Sequence, residues 1–279
     1  MRVAANLSML FTELPLLERV AAAAAAGFDG VEVQFPYEVP AAVLKEKLDT
    51  FSMPLVLINL PAGDLMQGGA GLAGAPSRQV QFDEALQEAL NYAAVARPLC
   101  VNVLSGRLEE GITRERALRV LVDNLRKAAD RFRGLGIKVL VEAINPLDMP
   151  GFLVNTPEHL DEVLRLVAHP NCLAQLDFYH MARQGLDIEK GVRLLARKIG
   201  HVQFADCPGR GAPGTGALDF NGLFQALMLD GYTGWLGAEF KPGGGLALVR
   251  VADMFSRPSL LHDCVRLTGV ARLSSLVFN

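Results

Sequence analysis

Four oxygen-bearing side chains stand at or near the ends of short apolar runs. They are Glu142 in Val139-Leu140-Val141-Glu142, Asp177 in Leu173-Ala174-Gln175-Leu176-Asp177, Gln203 in His201-Val202-Gln203-Phe204-Ala205, and Glu239 in Trp235-Leu236-Gly237-Ala238-Glu239-Phe240. A buried carboxylate is costly without a partner, and three that converge also repel one another. A divalent cation offsets all three at once. Three carboxylates and one amide oxygen form a hard, oxygen-rich set suited to Mg²⁺ or Mn²⁺, with positions left for water or substrate. Zinc is less suited, because neither histidine nor thiolate is among the four. The residues lie far apart in the chain and match no local metal motif. The set therefore exists only if the fold gathers the carboxyl ends of four strands.

The order of elements supplies such a fold. Apolar or β-branched runs at 3–5, 30–35, 54–60, 99–104, 138–143, 173–177, 201–205 and 235–240 read as strands. Helical stretches near 14–26, 40–51, 78–96, 113–133, 157–168, 187–198 and 219–229 separate them. The alanine run 21–26 reads as helix, since alanine is the best helix former and Gly27 follows as a stop. Thr156-Pro157-Glu158 reads as an N-cap followed by proline at the first helical position. Strict alternation predicts a parallel sheet buried on both faces, with a repeat of about 30 residues per strand and return helix. A single-domain α/β fold, the (β/α)8 or TIM barrel, is the expected closure. An open doubly wound sheet is the rival, but no G-x-G-x-x-G follows the first strand. Glycine-rich connections at 61–76 and 206–218 follow the third and seventh strands, on the face where barrel enzymes place their sites. Both are candidate lids. Residues 1–242 are expected to supply the barrel strands and helices 1–7, and 243–279 an atypical C-terminal helix or tail closing or flanking the barrel.

A composition of 51% hydrophobic and 20% charged residues can bury a large core. The formal charge of −3 argues against general affinity for nucleic acid or an anionic membrane. No apolar stretch reaches the roughly 18 residues of a membrane span, and no signal-peptide pattern opens the chain, so a cytoplasmic protein is expected. Cys100, Cys172, Cys207 and Cys264 are widely spaced, without a C-x-x-C pair, and read as free thiols in a reducing compartment. A homo-oligomer is left open.

Several segments resemble the hydroxypyruvate isomerase family of the xylose-isomerase-like barrels. They are Ala5-Asn6-Leu7-Ser8-Met9-Leu10-Phe11, Ile58-Asn59-Leu60-Pro61-Ala62-Gly63-Asp64, Val141-Glu142-Ala143-Ile144-Asn145, Gln175-Leu176-Asp177-Phe178-Tyr179-His180, Gly200-His201-Val202-Gln203-Phe204-Ala205-Asp206, and the stretch from Gly231 to Pro242. The resemblance implies a metal-dependent isomerase that interconverts hydroxypyruvate and tartronate semialdehyde through an enediolate, without an organic cofactor. It implies that Glu142 and Glu239 are the acid/base pair, and that both ligate the metal with Asp177 and Gln203. Related sugar epimerases usually carry histidine where Gln203 stands, and glutamine is typical of the hydroxypyruvate isomerase branch. In those epimerases the histidine matching His180 contacts substrate oxygens, so His180 is expected in the pocket.

The implied substrate is a small anion, and Arg210 and Lys241 are the candidates to offset its charge. Strand alternation puts Lys241 on the face of Glu239 only if the strand continues past Phe240. Asn6, Phe11, Tyr37, Asn59 and Asp64 hold strand-end positions that would line a pocket. Glu32 interrupts Val31-Glu32-Val33 and could accept hydrogen bonds behind the site, with His201 a layer below Gln203. Alternatives are a 2-oxo-tetronate isomerase or sugar epimerase on the same scaffold, a metal-dependent lyase or phosphodiesterase, and a non-catalytic paralogue. The scarcity of histidines at the strand ends counts against the lyase or phosphodiesterase. The paralogue is suggested by the departure after Pro242, where Gly243-Gly244-Gly245-Leu246 replaces the family's Thr-x-x-Gly-Leu-x-Trp.

Overall fold

The structure, a computed structural model, describes residues 1–242. Its strands are β1 (Arg2–Asn6), β2 (Gly30–Val33), β3 (Leu55–Asn59), β4 (Cys100–Asn102), β5 (Lys138–Glu142), β6 (Cys172–Asp177), β7 (Ile199–Phe204) and β8 (Trp235–Ala238). Neighbours pair in parallel in chain order. β8 returns to β1, with Arg2 opposite Trp235 and Ala5 opposite Ala238, so the barrel is closed. The expected TIM barrel is the observed fold. The expectations for 243–279 and for Cys264 fall outside the described residues.

The helices are α1 (Leu16–Ala25), α2 (Ala41–Thr50), α3 (Gln79–Ala96), α4 (Arg114–Arg133), α5 (Pro157–Val167), α6 (Phe178–Ala182), α7 (Ile188–Leu194) and α8 (Phe220–Leu229). In α4 the buried residues Ala117, Leu118, Leu121, Leu125, Ala128 and Phe132 recur at helical spacing and turn one apolar stripe to the barrel. α5 starts where foreseen, with Thr156 accepting the His159 N–H at 3.2 Å and proline next in line. α7 is shorter than expected, because Leu195 leaves helical geometry and Arg197 takes a φ of 65°. The five-residue α6 was not foreseen, and it matters for the site. Asp177 caps it, its Oδ1 accepting the N–H of Tyr179 at 2.7 Å and of His180 at 3.3 Å.

Inside the barrel, Leu57, Cys100 and Leu140 pack with Leu173 as an apolar layer. Two residues further along the same strands stand Asn59, Asn102, Glu142 and Gln175, all buried. Strand alternation thus stacks a polar floor on an apolar plug. Cys100 and Cys172 are buried free thiols, and burial pushes both up to about 12, so they remain protonated. Among the described residues no helix is long and apolar enough to cross a membrane.

Candidate active site

The carboxyl ends of the strands open into a cavity of about 210 Å³. Its wall includes Asn6, Asn59, Glu142, His180, Gln203, Arg210 and Glu239, so seven of the residues proposed from sequence share one pocket. Asp177 is buried directly behind this wall, with Oδ2 3.7 Å from His180 Nε2 and 3.8 Å from an Arg210 terminal nitrogen. Because Asp177 spends Oδ1 on capping α6, Oδ2 is the oxygen it turns to the pocket. Lys241 is the exception. β8 ends at Ala238, so alternation does not carry to 241, and Lys241 is exposed with its backbone N–H donated to Arg210 O at 2.8 Å. Phe11, Tyr37 and Asp64 also lie off this wall. Phe11 packs on Phe28, Tyr37 on Tyr92, and Asp64 pairs with Arg78 at 2.7 Å.

Glu142, Asp177 and Glu239 are each at most 5% exposed. Burial comes first in raising all three carboxyls above their ordinary values, and charge repulsion adds to it, from Glu239 and Asp177 on Glu142 and from Asp177 on Glu239. The cation set among them is Arg210, 2.6 Å from Glu239 Oε2. Its own burial works against the charge, but Glu239, Asp177 and Glu142 outweigh that and raise its pKa. Arg210 Nε is buried without a partner among the described residues, so this guanidinium keeps a free donor.

The two glutamates have unequal surroundings. Glu239 Oε1 accepts from Gln34 Nε2 at 2.7 Å and Asn6 Nδ2 at 3.2 Å, while its Oε2 holds Arg210. Glu142 Oε2 accepts from Asn102 Nδ2 at 2.9 Å. Among the described residues Glu142 Oε1 accepts no hydrogen bond, and His180 Nε2 lies 4.0 Å away.

A buried amide network supports this layer. Gln203 Oε1 accepts from Gln175 Nε2 at 2.5 Å, and Gln203 Nε2 donates to Glu32 Oε2 at 2.9 Å. Asn6 Nδ2 bridges Glu32 Oε2 at 3.3 Å to Glu239, and His201 Nε2 donates to Glu32 Oε1. Glu32 is thus the acceptor behind the site that its interruption of the second strand suggested.

The donor set fits a hard divalent cation. Among the described residues, three buried carboxylates face one guanidinium, the second lone pair of the Gln203 carbonyl oxygen is available, and Asn102 Oδ1 and Gln175 Oε1 are buried acceptors without partners. Glu142, Asp177 and His180 also offer ligand atoms within 4.8 Å of one another.

Sequence reasoning missed Gln34, Asn102, Asn145 and Asp148. Asn102 carried a usable signal, a polar residue between Val101 and Val103, whereas the others lie just past strand ends where polar residues are ordinary.

The connection after β7 delivers Arg210, and Asp206 organises it. Its carboxylate accepts the backbone N–H groups of Cys207, Gly214 and Gly216 at 2.8 Å and of Leu218 at 3.1 Å. The single carbonyl oxygen of asparagine cannot serve four donors. Asp206→Asn is expected to lower stability by about 2 kcal/mol and to speed amide exchange across 207–218. Unchanged exchange there would refute this role.

The comparisons with known proteins follow the same lines. A family model described as xylose isomerase-like TIM barrel matches residues 20–253. The chain is similar to the hydroxypyruvate isomerase of Escherichia coli (strain K12), at 38% identity over 242 residues, covering 87% of this chain and 94% of that protein. It is also similar to the 2-oxo-tetronate isomerase of Haemophilus influenzae, 37% identical over 243 residues with the same two coverages, 87% and 94%. Among solved structures, a protein from Brucella melitensis described as AP endonuclease, family 2, superposes with a TM-score of 0.86 at 36% identity, covering 92% of this chain and 98% of that one.

Proposed function

This chain belongs to the xylose isomerase-like TIM barrel family, and from that premise we propose that it is an isomerase of small hydroxy-oxo acids. Hydroxypyruvate, converted to tartronate semialdehyde, is the substrate proposed first, and a 2-oxo-tetronate is the alternative. The observation that carries the reading is the convergence of Glu142, Asp177 and Glu239, all buried, at the mouth of the barrel. These three and Gln203 would hold Mg²⁺ or Mn²⁺. When bound, such a cation supplies Lewis-acid stabilisation of the negative charge that develops on the substrate oxygens.

The reaction moves a proton from the hydroxyl-bearing carbon to the adjacent carbonyl carbon, while the hydroxyl proton passes to the former carbonyl oxygen. The chain must supply a base and an acid for the carbon proton. Three donors stabilise Glu239 as a carboxylate, whereas Glu142 has one donor and a free Oε1. A proton shared by the pair therefore rests on Glu142. In the direction of tartronate semialdehyde, Glu239 takes the carbon proton and Glu142 supplies one to the neighbouring carbon; the reverse reaction exchanges their roles. The Arg210 guanidinium on the pocket wall suits the substrate carboxylate. A nuclease-like reading would want a histidine-rich rim, and His180 is the single histidine on the described pocket wall.

The test is an isomerisation assay on hydroxypyruvate and on a 2-oxo-tetronate, before and after chelation. Turnover is expected to vanish with chelator and to return with Mg²⁺ or Mn²⁺. A folded, metal-supplemented protein inactive on both compounds would defeat the proposal, and full activity in chelator would defeat its metal.

A further inference from the structure

Asn145, three residues beyond the end of β5, uses its whole side-chain amide. Its Oδ1 accepts the backbone N–H of Asp148 at 2.8 Å. Its two Nδ2 hydrogens go to Asp148 Oδ2 at 3.1 Å and to His180 Nδ1 at 2.7 Å. The amide cannot be turned over. A half-turn would set its oxygen against the Asp148 carboxylate and its NH₂ against a backbone N–H, exchanging two good contacts for two clashes. Asp148 is itself fixed as an acceptor, since Tyr179 Oη donates to the same Oδ2 at 2.8 Å and Arg183 Nε lies 3.5 Å from Oδ1. With an NH₂ group facing it, His180 Nδ1 has to supply a lone pair. A neutral imidazole with its lone pair on Nδ1 carries its hydrogen on Nε2. That nitrogen faces Asp177 Oδ2 at 3.7 Å and Glu142 Oε1 at 4.0 Å, on a side chain only 5% exposed.

We propose that Asn145 is a positioning residue that locks His180 in the neutral form with hydrogen on Nε2, so that His180 offers the pocket a donor and no lone pair. His180 lies close enough to Glu142 and Asp177 to complete a metal site with them. The lock withholds it from that use and leaves the cation to oxygen donors. It also keeps His180 from acting as a base. What remains is an N–H aimed where a substrate oxygen gains negative charge, and this last step rests on the isomerase reading while the tautomer does not.

The full chain labelled with ¹⁵N-histidine tests the lock directly, with the His180 ring signals identified by their loss in His180→Gln. The wild type is expected to show a bare, pyridine-like Nδ1 and a protonated, pyrrole-like Nε2. In Asn145→Asp an acceptor faces Nδ1, so the hydrogen is expected to move to Nδ1; in Asn145→Ala both forms are expected. A protonated Nδ1 in the wild type overturns the proposal, as does an unchanged ring in a folded Asn145→Asp. The wild-type spectrum decides without reference to turnover, so a wild type inactive on hydroxypyruvate counts against the isomerase reading alone. In the active enzyme, Asn145→Asp is expected to lower kcat about 10²-fold with little change in KM, as loss of a donor to a developing oxyanion does. A switched ring with unchanged kcat overturns the donor role.

Discussion

Glu239→Gln is expected to lose isomerisation by about 10³-fold and, with it, exchange of the substrate's carbon-bound hydrogen with solvent deuterium. Glu142→Gln is expected to lose isomerisation to a similar degree yet to keep that exchange. The difference follows from their surroundings. Gln34, Asn6 and Arg210 hold Glu239 as an anion able to take the first proton, whereas Glu142 has a single donor and supplies the second. With Glu142 replaced, the proton taken by Glu239 can still return to its carbon of origin carrying solvent isotope. Exchange kept by Glu239→Gln and lost by Glu142→Gln would reverse the assignment, and wild-type turnover in both would end it.

The same substitution has a stability signature of opposite sign. Burial, then the charges of Glu239 and Asp177, raise the Glu142 carboxyl well above its ordinary value. A group raised in this way favours the fold below its unfolded pKa, and that contribution is lost as pH climbs through the folded value. The metal-free wild type is therefore expected to melt lower as pH rises, while Glu142→Gln, with no proton to lose, melts higher than wild type at neutral pH. Melting curves in chelator decide this; a lower Tm for the variant would contradict it.

Gly237→Ala carries the second large effect. A Cβ at position 237 would stand 2.2 Å from Glu32 Oε1 and 2.7 Å from its carboxyl carbon. A side-chain tip can often swing aside, but this one is fully buried and held by His201, Gln203 and Asn6. Moving it breaks three buried hydrogen bonds to a carboxylate away from water, so a loss of about 3 kcal/mol is expected, together with a weakened hold on Gln203. The double variant Glu32→Ser/Gly237→Ala relieves the collision, so the two changes together are expected to cost less than the sum of their separate costs. Strict additivity in denaturant unfolding would show that the collision does not set the price.

The barrel was legible because parallel strands covered on both faces read as apolar runs, and β4, β5 and β6 begin within one residue of their expected starts. The oxygen-bearing strand ends were legible for the same reason, since Glu142 or Asp177 stands out against valine and leucine. Lys241 was misjudged because alternation fails once a strand ends, and β8 stops at Ala238. Asn145 and Asp148 gave no such contrast. They sit in a connection where polar residues are expected, and what sets them apart is which atoms their amide and carboxylate meet. α6 was invisible because five residues are too few to show a helical period. Its cap, an aspartate that the sequence suggested for another purpose, made it.

Arg210 takes a φ of 55°, pinned between the Asp206–Gly211 and Lys241–Arg210 backbone hydrogen bonds. A side chain held there costs about 1 kcal/mol that glycine would not. Breeding this protein for heat endurance alone would favour glycine at 210 on backbone grounds, and the guanidinium would disappear from the barrel mouth unnoticed. A screen that also demands turnover would keep the arginine despite its conformational cost. The fate of this one codon in a mutagenised library thus reports whether the selection was for endurance or for work.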